Sequence, residues 1–275
     1  MPQQTSPDIR SLPTDRRVRY PESDGKPMAE TDFHRLPMTD LIEILTDRYQ
    51  DRPDVYVSGN LFIHDQPNKP RKKPIAPDVF VVFGVEKKKR RNYLVWEEGK
   101  SPDWVLEIAS RGTFRKDLNE KKELYATVLG VKEYFLYDPD HKYLPSPLIG
   151  YRLEGEGYVP ISPVDTRLPS EVLGLELGEV EGELRLYDPL KQEWVLRPTE
   201  EAKVQAQARQ QAEARAQQAA QARQQAEARA QQAEVKVLLE VQVRQQAEIR
   251  AQQAETELAR LRDELERLRN LQTSQ

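Results

Sequence analysis

Apolar residues fall in short runs between about residues 31 and 197, and beyond that the rhythm changes. Thr39 to Tyr49 sets Leu41, Ile44, Leu45 and Tyr49 on one face at helical spacing. With Thr39 placed as a cap, this predicts a short helix. Val55 to Ile63 predicts strands around a Gly-Asn turn. Further strands are predicted at Val79 to Val85, at Tyr93 to Glu97 and at Trp104 to Ala109. The last carries almost no polar side chain, as expected of a strand covered on both faces. Asp117 to Leu129 reads as a helix stopped by Gly130, and Glu133 to Asp138 as a strand. Gly150 to Leu153 and Leu184 to Tyr187 suggest an antiparallel outer layer. Strands interleaved with helices predict a mixed α/β or α+β domain over 31–198, with a sheet flanked by helices.

From 199 the chain has no glycine, aromatic residue or proline, and is built largely from Ala, Gln, Arg and Glu. The string RQQAE recurs at Arg209, Arg223 and Arg244, at offsets of two and three heptads. One heptad frame runs from Ala212 through Ala226, Val237, Ala254 and Leu258 to Leu268, with steps of four and three. This is the seam of a coiled coil, predicted over 199–271. Arg223, Glu240 and Arg244 interrupt it. Alanine buries little area, so the terminal leucines should grip best. The expected consequence is a homodimer. Residues 1–30, polar and dotted with proline, are expected to form a disordered leader.

Composition narrows the function classes. The chain of 275 residues has no cysteine, which excludes a disulfide framework and thiolate metal sites. No apolar run approaches the roughly 20 residues that span a bilayer, and the N-terminus has no apolar signal region, so a cytoplasmic protein without a membrane partner is expected. A net charge of −4 is not the footprint of a dedicated nucleic-acid binder, so phosphate contacts would fall to two local basic runs, Lys69 to Lys73 and Lys87 to Arg91.

The unusual residue is Glu107, a carboxylate inside the apolar strand PDWVLEIAS. Buried without a partner it would cost several kcal/mol. A salt bridge is the plainer explanation. The other is a site: Asp78 begins a neighbouring strand, and paired carboxylates suit a hard divalent cation. Lys121 lies on the helix that follows, one turn before Tyr125.

Taken together, PDVFVV, PDWVLEIAS, DLNEKKELY and GVKEYFLYDP resemble the Uma-type family of restriction endonucleases, within the PD-(D/E)XK nuclease superfamily. The resemblance spans about Asp32 to Pro198. It implies a restriction-endonuclease-like fold and a Mg²⁺-dependent (or Mn²⁺-dependent) endonuclease acting on DNA. It implies catalytic Asp78, Glu107 and Lys121, with the metal held by Asp78, Glu107 and the backbone carbonyl of Ile108. The lysine usual in the superfamily, two residues past the glutamate, is Ala109 here, and Lys121 stands in for it. Glu30 resembles an additional acidic residue. Ser110 is expected to order the loop, and Asp117 to cap the helix or bond Lys121. An RNA substrate is not separated from DNA by these motifs. The competing reading is an inactive nuclease-like scaffold working through its coiled coil. His34, His64 and His141 show no ligand spacing and are expected to be structural or superficial.

Overall fold

The computed structural model describes residues 18–22, 31–68 and 74–272, with side chains described to residue 265. Glu30, the run Lys69 to Lys73 and most of the expected leader lie outside the described residues. The chain divides into two compact units, Met1–Ala202 and Lys203–Gln275.

The first unit is built on a six-stranded sheet in the order β1 (Val55–Ser58), β3 (Val79–Phe83), β5 (Trp104–Ile108), β6 (Glu133–Tyr137), β7 (Leu148–Glu154), β8 (Gly157–Pro160). All its pairings are antiparallel except β5 with β6, which run parallel. A parallel pair needs a crossover, and the helical segment 114–129 provides it. Every residue of β5 and β6 is buried, because both faces of the sheet are covered.

Side chains alternate between those faces. Val79, Val81, Leu106 and Phe135 point to a core shared with α1 (Asp32–Arg48) and with a four-stranded antiparallel sheet. That second sheet has the order β12 (Glu193–Trp194), β11 (Glu183–Asp188), β10 (Leu175–Val180), β9 (Leu168–Ser170). Phe80, Val82, Val105, Tyr134 and Leu136 point the other way, against Tyr125 and Leu129 of the 114–129 helix. A parallel two-stranded piece, β2 (Ile63–His64) with β4 (Tyr93–Leu94), joins that second core.

Two local expectations, at the first helix and at Tyr93 to Glu97, are corrected. The first helix begins at Asp32 rather than at Thr39. Its opening turns carry Phe33 and Leu36 exposed and Pro37 inside, so neither an apolar stripe nor a clean start signal marks them. Thr39 does not cap; its hydroxyl donates back to the Arg35 carbonyl at 2.9 Å. The strands on either side of Gly59-Asn60 do not form a hairpin, since β1 and β2 belong to different sheets. Tyr93 to Glu97 is a two-residue strand followed by a short helix, α2 (Val95–Glu98), ended by Gly99 at φ 70°.

The second unit continues a single uninterrupted helix. It begins at Pro198 and reaches Gln272, 75 residues, or about 110 Å at 1.5 Å per residue. Proline suits the first helical position, where its missing N–H is not needed. No described helix is long and apolar enough to cross a membrane.

Candidate active site

Asp78 and Glu107 meet because of register. β3 and β5 pair antiparallel with Val79 opposite Leu106, and one step further sets Asp78 opposite Glu107. Both then share the face covered by the 114–129 helix. Asp78 is fixed by the Ile108 amide, which donates to Oδ2 at 2.7 Å. Its backbone is fixed from the other side by the Gly59-Asn60 turn: the Asn60 amide donates to the Pro77 carbonyl at 2.8 Å. A Cβ on Gly59 would overlap the Asp78 carbonyl oxygen.

The helix supplies the rest. It is wound partly with wide i→i+5 turns, over Asp117–Lys121 and Tyr125–Leu129, a geometry frequent at functional sites. Lys121 Nζ lies 2.8 Å from Glu107 Oε2 and 3.0 Å from Asp117 Oδ1. The Tyr125 hydroxyl donates to Glu107 Oε1 at 2.6 Å. Ser110 and Thr113 pair at 3.0 Å, and the Phe114 amide donates to the Ser110 carbonyl, so Ser110 orders the loop into the helix. Asp117 bonds the lysine rather than capping the helix.

Three carboxylates thus surround one ammonium, and fully ionised they leave a net charge of −2. Burial raises the Glu107 pKa, and Asp78 and Asp117 add to the rise against the pull of Lys121. Burial likewise raises that of Asp117. Burial alone would lower that of Lys121, but the three carboxylates outweigh it and keep the ammonium charged. The cluster is short of positive charge. Glu107 is 1% exposed, while Lys121 keeps 26% of its side chain open, so the cluster reaches solvent beside the lysine.

Sequence reasoning missed His34. Its Nε2 lies 3.3 Å from Asp78 Oδ2. The spacing of the histidines carried no signal, and the helix that positions His34 was expected to begin after it. His64 is buried against Tyr20, and His141 pairs with Glu179 at 2.9 Å at the surface. The Lys87 to Arg91 run is partly structural. Lys87 donates to the carbonyls of Tyr49 and Gln50, and the buried Arg90 guanidinium binds Glu98 while lying 4.1 Å from the Tyr56 ring centroid.

Among curated proteins no match to the chain was found. Among solved structures, a "putative nuclease belonging to DUF820" from Anabaena variabilis matches at 17% identity, over 57% of this chain and 87% of that one, with a TM-score of 0.40. The Uma2 family model, described as "Putative restriction endonuclease", matches residues 6–186, a span that contains Asp78, Glu107, Asp117 and Lys121. The chain belongs to the Uma2 family.

Proposed function

We propose that the protein is a metal-dependent endonuclease that hydrolyses phosphodiester bonds in DNA. The observation that carries this reading is the surplus of buried carboxylates over cations at the end of β3 and β5, in a chain of a nuclease family. Mg²⁺ keeps several waters and binds through one or two carboxylates plus substrate phosphate, which the pair Asp78 and Glu107 can supply. Asp78, Glu107 and the Ile108 carbonyl are the oxygen donors assigned to it, with Mn²⁺ as the substitute. Bound there, such an ion would polarise a phosphoryl oxygen and acidify a water.

Each neighbouring side chain has a task in this scheme. Tyr125 fixes Glu107, His34 and the Ile108 amide fix Asp78, and Asp117 fixes Lys121. Lys121 orients the attacking water and stabilises negative charge growing on the phosphate. The tail helix pairs two copies, which supplies one site for each strand of a duplex. The inactive-scaffold reading draws on Ala109, but the ammonium missing there is supplied 2.8 Å from Glu107 by Lys121.

The test is calorimetry with Mg²⁺ and Mn²⁺ on wild type and Asp78→Asn, in the presence and absence of a DNA duplex, followed by a cleavage assay that adds Glu107→Gln. Binding lost in the Asn variant and cleavage lost in both variants are expected. Equal cleavage by wild type and Glu107→Gln would remove this site from the chemistry.

A further inference from the structure

The tail helix carries two charged strips that flank its apolar seam, and these strips specify how a second copy lies against it. In the heptad frame that puts Ala230, Val237, Ala251 and Leu258 at position a, position g holds Arg215, Arg229, Lys236 and Arg250, then Glu257 and Glu264. Position e holds Glu213, Glu227, Glu234, Glu248 and Glu255, then Arg262. Both strips reverse sign at the same place, between Glu255 and Glu257. We infer that two copies pair as a parallel, in-register two-stranded coiled coil through residues 212–265, with the reversal facing its own counterpart. This rests on the tail-pairing reading above and adds its direction and register.

Charge eliminates the alternative arrangements. In a parallel pair, position g of one helix faces position e of the next heptad on its partner, five residues on. Arg229 then meets Glu234, Arg250 meets Glu255, and beyond the reversal Glu257 meets Arg262, each twice by symmetry. In an antiparallel pair, g faces g and e faces e. Before the reversal every charged g is basic and every charged e is acidic, so that arrangement sets like charges together along most of the seam. A lone helix gives these strips no use either. Residues five apart do not face one another on one helix, where pairs form at three or four. The ion pair seen within the tail, Arg244 with Glu248 at 3.3 Å, is of that i,i+4 kind.

The three charged seam positions fit the same arrangement. Glu240 (at d) and Arg244 (at a) occupy adjacent layers, so the two copies bring two carboxylates and two guanidinium groups together as a neutral quartet. Arg223 stands alone, and its aliphatic stem covers the seam while the head reaches water. The helix is unbroken through all of these positions, and its side chains over 212–265 are exposed, so the seam is open to a second copy. Leu238 and Leu239 face outward in this register and remain exposed.

The chain lacks cysteine, which makes the test direct. Ala233→Cys (position d) and Ala251→Cys (position a) are made separately in the full-length chain and oxidised alone and as a mixture. Light scattering gives the mass of the unmodified protein. The expected result is a dimer mass, with each variant cross-linking to itself and no excess of mixed cross-link. Arg229→Glu with Arg250→Glu should weaken the dimer at least about tenfold, and adding Glu234→Arg with Glu255→Arg on the same chain should restore it. Cross-links formed only in the mixture, or no rescue by the fourfold variant, would overturn the parallel register and leave tail pairing standing. A monomer, or a trimer or tetramer, would overturn the two-stranded pair itself. None of these outcomes touches the nuclease reading, which the metal titration tests.

Discussion

Glu107 and Glu133 lie on neighbouring strands, and both are buried to 1% exposure. Glu133 is fully answered: the Ser170 hydroxyl, the Glu171 amide and the Arg152 guanidinium all bind it, and it ties the central sheet to the smaller one. Asp103 is answered in the same way by Lys100, Lys132 and the Phe83 amide. Glu107 is held by the Tyr125 hydroxyl, but it shares its one cation, Lys121, with Asp117 and faces Asp78. That contrast separates structural acids from the candidate site, and the sequence alone could not draw it, because a strand glutamate looks the same in both settings. The structural part of the basic run was hidden for a similar reason. Arg90 is held by Glu98, Tyr56 and Tyr93, which lie near or far along the chain and give no local pattern. The Arg90 hydrogen bonds lower the Glu98 pKa below its ordinary 4.5. A depressed carboxylate contributes stability above the unfolded value and loses it as pH falls through the folded one. Glu98→Gln should therefore cost roughly 1–3 kcal/mol at pH 7 and progressively less toward pH 3. Thermal melts across that range check it, and a constant deficit at every pH would show that the pair's charge is irrelevant.

At the scale of elements, the strongly apolar strands β3, β5 and β6 and the Gly130 helix stop were legible, because burial on both faces and a left-handed glycine leave plain marks. The wide turns of the 114–129 helix were not, since nothing in DLNEK distinguishes them from ordinary helix. The early start of α1 was hidden behind Pro37, and with it the approach of His34 to Asp78. The Gly-Asn dipeptide joins strands of two different sheets and packs against the Asp78 backbone, which its sequence did not indicate. Gly59→Ala should push the chain at Asp78 out of place, at a cost of about 1–3 kcal/mol, and weaken Mg²⁺ binding together with stability. A urea titration paired with calorimetry reads both. Loss of stability with metal binding intact would mean that the turn supports the sheet and not the site.

For the whole molecule, the abrupt change in composition near 199 was plain, and the structure places the start of the long helix at Pro198. The unit Met1–Ala202 contains both apolar cores, and among the described residues no core residue lies beyond it. Ending the chain after Ala202 should leave a folded monomer with its metal affinity unchanged. Size-exclusion chromatography with light scattering, and the same calorimetry, test this; an aggregated or unfolded product would show that the tail is needed for folding.

The repeated RQQAE string has a cost that the charge reversal removes. Because Arg209 and Arg223 begin identical eleven-residue stretches, a tail built only of such repeats could slide by two heptads and find nearly the same contacts. The reversal after Glu255 acts as an index mark. Sliding the inferred parallel pair by one heptad would set Arg250 against Arg262 on one side of the seam and Glu257 against Glu255 on the other. In the pairing inferred above, only one alignment of this low-complexity segment is free of conflict, so a sequence that looks degenerate to a reader would not be degenerate to its own copy.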